Sequence, residues 1–169
     1  MPLYPRRLGV PGSSLREVAP GLFVGGLQDV YDPHAPQWAA AVLLARPVVQ
    51  AAQDPQSPVR QRLTGAQVAA FPFDDGQPVP REAIVAAVAG RNVTRGRPML
   101  IACFAGRSRS VSVAYATLRI TEGLDHAEAI RRVAHPEQNP MDVTLASARE
   151  IVRQYRTTEP WTTRFAQGR

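Results

Sequence analysis

The sequence predicts one α/β domain, with a central, mostly parallel sheet flanked by helices. Three observations lead there. Strand-like runs alternate with helical ones, the C-terminal third is helical, and Pro98–Ala102 is almost wholly apolar, as a strand covered on both faces must be. The length of 169 residues suits a single domain, and 44% apolar with 20% charged residues fits a globular chain.

Four prolines within residues 1–20 read as extended chain, with an arm over 1–14 ahead of a first strand at Leu22–Val24 that Gly25 and Gly26 punctuate. A second strand falls within Ala40–Leu44, although an alanine-rich run suits a helix equally. Pro47, Pro55 and Pro58 make residues 46–65 mostly loop, with one helical turn around Val48–Gln53. Gln67–Phe71 reads as a strand with Val68 and Phe71 as its apolar members, and FPFDDGQPVP, residues 71–80, as a loop. Pro80 is placed to open a helix that Gly90 closes, with Ile84, Ala87 and Val88 as its buried stripe. Ser110–Thr121 is apolar nearly all round, which predicts a central, buried helix. Asp125 with Glu128 forms a capping box for a helix to about Ala134. A last helix spans Thr144 to about Arg156 with Leu145, Ala148, Val152 and Tyr155 on one side, and residues 158–169 read as a frayed tail.

Composition narrows the function. No run of 18 apolar residues is present to span a membrane, and no apolar stretch follows the basic residues near the N-terminus as a secretion signal requires. The single cysteine excludes an internal disulfide, and with only three histidines it argues against a structural zinc site. A reducing cytoplasm is the expected compartment. The net charge is +6, and all 20 basic residues are arginine. They are scattered and coincide with abundant Ala, Gly and Pro, which reads as compositional bias. No segment interleaves aromatic and basic residues, so a nucleic-acid partner is not expected.

Chemistry concentrates in MLIACFAGRSRS, Met99–Ser110, an apolar strand running through a short loop into an apolar helix. The loop carries Cys103 and, six residues on, Arg109. A bare C-x5-R spacing is weak evidence in a chain with 20 arginines among 169 residues. The context strengthens it. Gly106 permits a tightly folded backbone midway, so that the N–H groups of Phe104, Ala105, Gly106, Arg107, Ser108 and Arg109 converge on one point as an anion-binding nest. The helix opening at Ser110 aims its positive end at the same point, and the Arg109 fork can grip two phosphate oxygens. A thiol of ordinary pKa, about 8.5, is mostly protonated at neutral pH, and such a field favours the attacking thiolate. A buried packing cysteine would need neither Gly106 nor Arg109.

CFAGRSRS resembles the signature of the dual-specificity branch of the protein tyrosine phosphatase superfamily, C-x-x-G-x-S-R-S, at Cys103, Gly106, Ser108, Arg109 and Ser110. APGLFVGG, residues 19–26, resembles the strand that opens such domains, and the likeness spans residues 15–157. The resemblance implies a protein tyrosine phosphatase-like fold and a catalytic domain over 15–157. It implies hydrolysis of phosphotyrosine, with phosphoserine or phosphothreonine a further substrate, through a cysteinyl-phosphate intermediate without metal or cofactor. Ser110 would help the sulfur leave in the second step. The partner is then a phosphorylated protein or a small phosphorylated molecule.

Expelling an alkoxide or phenoxide requires a proton donor. The resemblance places an aspartate on the loop before the helix that precedes the signature strand, where FPFDDG offers Asp75 and, as the alternate, Asp74. Asp75, three residues after Pro72, is the stronger candidate, and a plain Asp-Asp-Gly turn is the competing explanation.

Three positions depart from the pattern. Ala102 stands where relatives carry a histidine that supports the loop. Asn139-Pro140 reverses the order of a buttressing Pro-Asn element, and His126 and His135 read as cap or surface residues. Arg107 adds a second cation to the loop, which would suit an inositol phosphate or phosphoinositide, or simply point to solvent. A non-catalytic phosphate-binding module is the reading from a different class. Rhodanese-like or arsenate-reducing chemistry is disfavoured by the Ser108-Arg109-Ser110 run and by the absence of a second cysteine.

Overall fold

Met99–Ala102 (β6) lies at the heart of a six-stranded sheet, and every one of its residues is buried. The computed structural model describes residues 3–157. Apolar runs with no polar alternation, as in MLIA, are stable only with both faces covered, and each such Leu or Ile contributes roughly 1.5–3 kcal/mol on burial. On one side β6 pairs in parallel with Leu22–Gly25 (β3), and on the other with Ala40–Leu43 (β4). Gln67–Ala70 (β5) continues the parallel part beyond β4 as an exposed edge. Beyond β3 the sheet turns antiparallel, through Arg16–Ala19 (β2) and the two-residue Arg6–Arg7 (β1). The order is β1-β2-β3-β6-β4-β5. The fold is thus the expected α/β domain with a mixed, mostly parallel sheet.

Register sets the site. Gly25, Ala102 and Leu43 stand side by side at the C-terminal ends of three parallel strands. The next residue of β6 is Cys103, which therefore emerges at the carboxyl edge of the sheet, where α/β folds hold ligands.

Two helices occupy the segment expected to be mostly loop, Arg46–Gln53 (α1) and Pro58–Arg62 (α2). Their prolines sit in the first turn of each helix, where a missing N–H costs nothing; the expectation treated them as breakers. Arg81–Thr94 (α3) likewise runs through Gly90 rather than ending there, and stops at the left-handed Arg95. A Cβ at Gly90 would lie 3.1 Å from Met99 Cε, so that glycine serves the packing of α3 on β6.

Arg109–Thr121 (α4) is buried from Ser110 to Leu118 and is the helix against which α3 and the two helices that follow it pack. His126–Val133 (α5) is capped by Asp125, whose carboxylate accepts from the Glu128 amide at 2.8 Å, as the sequence predicts. Asp142–Thr157 (α6) packs along α4 with Ala148 and Val152 buried. The expectation for residues 158–169 lies outside the described residues, and no helix among the described ones is long and apolar enough to cross a membrane.

Candidate active site

The loop from Cys103 to Ser108 folds back over its own cysteine. Cys103 is 2% exposed, and its Sγ accepts from the Gly106 N–H at 3.2 Å and lies 3.2 Å from Ser110 Oγ at the first turn of α4. Amide, hydroxyl and helix N-terminus therefore meet at one sulfur, an arrangement that suits an anion there. Gly106 makes the curl possible. Its φ is +71°, and a Cβ on it would fall 2.7 Å from the Gly25 carbonyl carbon. Gly26 answers from the other side, since a Cβ there would meet the Phe104 oxygen at 2.6 Å. The Leu27 amide donates to that oxygen at 2.9 Å, tying the loop to the end of β3.

Arg109, the first residue of α4, donates through Nη1 to the Phe73 carbonyl at 2.9 Å. Its buried Nε has no hydrogen-bond partner. A guanidinium steadied at one nitrogen, with another donor unused, suits a fork that closes on an oxyanion. Ser108 is buried, and its Oγ accepts from the Met141 amide at 2.9 Å. The segment before α6 thus buttresses the loop through the Met141 amide, in keeping with the reversed Asn139-Pro140 order.

Phe104 and Ala105 are exposed on the loop, and Phe104 is 55% exposed. Arg107 pairs with Glu137 at 3.6 Å, which occupies the extra cation of the loop with a carboxylate. Asp74 and Asp75 are both exposed in a turn closed by the Gln77 amide on the Asp74 carbonyl, while Asp75 accepts from the Gly76 amide at 3.0 Å. That turn is anchored to α6, where Thr144 Oγ1 donates to the Gln77 carbonyl and Ser147 Oγ accepts from the Val79 amide. The strand–loop–helix therefore brings Cys103, Gly106, Ser108, Arg109 and Ser110 together, and Arg109 links them to the segment that carries the two aspartates. Among the described residues no group of three or more His, Cys, Asp or Glu is placed to hold a metal ion.

Two residues that the sequence does not single out, Asp29 and Arg16, complete the surroundings. Asp29, 5% exposed, accepts from the Gly26 amide at 2.6 Å and from Ser13 Oγ, which fixes the Gly25–Gly26 backbone beneath the loop. Arg16, on β2 and 2% exposed, donates to the carbonyls of Ser14 at 2.7 Å, Gly106 at 3.2 Å and Val133 at 2.6 Å. Burial pulls its pKa down to about 10, against the pull of Cys103 and Asp29, so the side chain keeps its charge at neutral pH. His135 is only 9% exposed rather than a surface residue; burial first, then Arg16 and Arg107, pull its pKa down. His126 opens α5 and meets the Tyr115 hydroxyl through Nδ1 at 2.8 Å.

The chain has the fold seen in solved dual-specificity phosphatases, a branch of the protein tyrosine phosphatase superfamily. It is similar to DUSP15 at a TM-score of 0.68 and 18% identity, over 92% of this chain and 96% of that one. Human DUSP28 superposes with a TM-score of 0.65 and 24% identity, over 83% of this chain and 97% of that one. PTPMT1, solved in complex with PI(5)P, superposes with a TM-score of 0.66 and 13% identity, over 85% of this chain and 97% of that one. No family profile and no curated protein matches the sequence.

Proposed function

We propose that residues 15–157 form the catalytic domain of a cysteine-dependent phosphatase that hydrolyses phosphomonoesters, phosphotyrosine first among them. One observation carries this reading: Cys103 Sγ sits within 3.2 Å of both the Gly106 N–H and Ser110 Oγ, at the mouth of α4. In the first step the Cys103 thiolate attacks phosphorus while the ester oxygen departs with a proton from Asp75. The phosphoryl oxygens rest on the amides of Phe104 to Arg109 and on the Arg109 guanidinium, donors fixed before charge develops on the group. In the second step water attacks the cysteinyl-phosphate, Asp75 takes its proton, and the S–P bond breaks to release inorganic phosphate. Ser110 donates to the sulfur as its negative charge returns. These steps need no cofactor.

A phosphoinositide is the second substrate class, favoured by the PI(5)P complex of the PTPMT1 neighbour. Pairing of Arg107 with Glu137 counts against it, because that cation is already engaged.

The test is hydrolysis of p-nitrophenyl phosphate without added metal. Activity should survive a chelator, yield to vanadate, and vanish in Cys103→Ser while that variant still binds phosphate. Turnover by Cys103→Ser would end the assignment, and a wild-type protein that binds phosphate without turnover would make the chain a binding module. Comparing phosphotyrosine, phosphoserine and inositol phosphate rates then orders the substrate classes.

A further inference from the structure

Among the described residues Arg16 is the one buried arginine, and the proposed reaction leaves it without a role. Its guanidinium is held by carbonyl oxygens from three parts of the chain, 2% exposed, and no Asp or Glu oxygen stands within 4.0 Å of it among the described residues. A buried cation without a carboxylate partner is costly, so its charge needs an anion nearby. The Val133 carbonyl closes α5, and so offers the negative end of a helix. The remaining carbonyl belongs to Gly106, in the loop that surrounds Cys103. The charged or titratable groups that act on Arg16 are Cys103 itself, Asp29 after β3, Arg7 on β1 and His135 after α5.

The Gly106 carbonyl and the Arg107 N–H share one planar trans peptide and point in opposite directions. Holding the carbonyl fixes the direction of that amide. We propose that Arg16 is a positioning residue of this site, which orients the Gly106–Arg107 peptide for a phosphoryl group and supplies a buried positive charge that favours the Cys103 thiolate. The chain has Ala102 directly before its cysteine, with no ionisable side chain there, and Arg16 supplies a charge from β2, beyond β3, instead. The inference rests on the phosphatase reading of the same loop.

The test separates charge from geometry with Arg16→Gln and Arg16→Lys, each first checked for folding by thermal melting. Alkylation of Cys103 by iodoacetamide is timed at about pH 6.5 and about pH 9.5, and the ratio of the two rates reports ionisation. Arg16→Gln should lower that ratio by about tenfold or more, whereas Arg16→Lys should keep it near the wild-type value. Arg16→Lys should nonetheless bind inorganic phosphate more weakly and raise KM for p-nitrophenyl phosphate, because one ammonium cannot replace a fork spanning Gly106 and Val133. A folded Arg16→Gln protein with the wild-type ratio overturns the electrostatic role. If Arg16→Gln does not fold, Arg16→Lys decides: a tenfold fall in its ratio overturns the electrostatic role, and unchanged phosphate binding overturns the positioning role. Alkylation requires no turnover, so a wild-type protein inactive on every phosphomonoester sinks the phosphatase reading and leaves this measurement intact.

Discussion

Arg109 Nη1 donates to the Phe73 carbonyl at 2.9 Å, so the guanidinium at the loop's end also grips the backbone next to Asp74. The Cys103 loop and the aspartate turn are therefore joined through one side chain, and under the proposed function binding at the first would be felt at the second.

The aspartates can be told apart by leaving group. Asp75→Ala should lower kcat on phenyl phosphate by about 10²–10⁴, the usual span for a lost general acid, and much less on esters with acidic leaving groups. Asp74→Ala should do little. Equal slowing across leaving groups in Asp75→Ala would transfer the role to Asp74.

Gly106→Ala should damage both stability and binding. Its φ of +71° is strained for alanine, and the new methyl would sit 2.7 Å from the Gly25 carbonyl carbon, so loop or strand must shift. We expect a loss of about 1–3 kcal/mol in urea unfolding, and loss of protection of Cys103 against alkylation by tungstate. Tungstate protection equal to wild type would show that the loop tolerates the methyl.

Ser110→Ala should split the two chemical steps. With Ser110 Oγ 3.2 Å from the sulfur, its removal leaves attack possible and impairs departure of sulfur from phosphorus. Rapid mixing with p-nitrophenyl phosphate should give a burst of p-nitrophenol followed by a steady rate about tenfold slower than wild type, roughly 1.4 kcal/mol in the second barrier. A slow step without a burst would place the hydroxyl in the first reaction.

The sequence made the loop legible because its members are contiguous: β6, the glycine, the arginine and the apolar helix follow one another between Met99 and Thr121. Strand β3 and the Asp125 cap were equally local. What supports the loop from a distance was not. Arg16 meets Gly106 across 90 positions of sequence, and nothing in a scattered set of arginines distinguishes it. Asp29 looks like any acidic residue after a glycine pair until Gly26 is seen to need its carboxylate. Short β1 and the helix at Pro58 were missed, and α1 was expected only as one turn around Val48–Gln53, because proline punctuates loops and helix starts alike.

His135 predicts an acid-sensitive stability. Burial and the neighbouring Arg16 and Arg107 lower its folded pKa, so the native state favours the neutral ring, whereas the unfolded chain takes up a proton near the ordinary value of about 6.5. Its contribution is therefore complete above that value and is lost as pH falls below it. Urea midpoints measured from pH 8 down to pH 5 should decline, and His135→Gln should flatten the decline. An unchanged slope in His135→Gln would assign the effect to His126, whose pKa is lowered by burial in the same sense.

The residues of the loop divide by what they show to the outside. Gly106, Ser108 and Ser110 are buried, whereas Phe104 and Ala105 are exposed and Arg107 is half-buried. An amide offers the same hydrogen whatever side chain its residue bears. Drift at positions 104, 105 and 107 can thus re-tune which molecules dock, with the reaction centre left as it is, and it is there that close homologues would diverge in taste while sharing one chemistry.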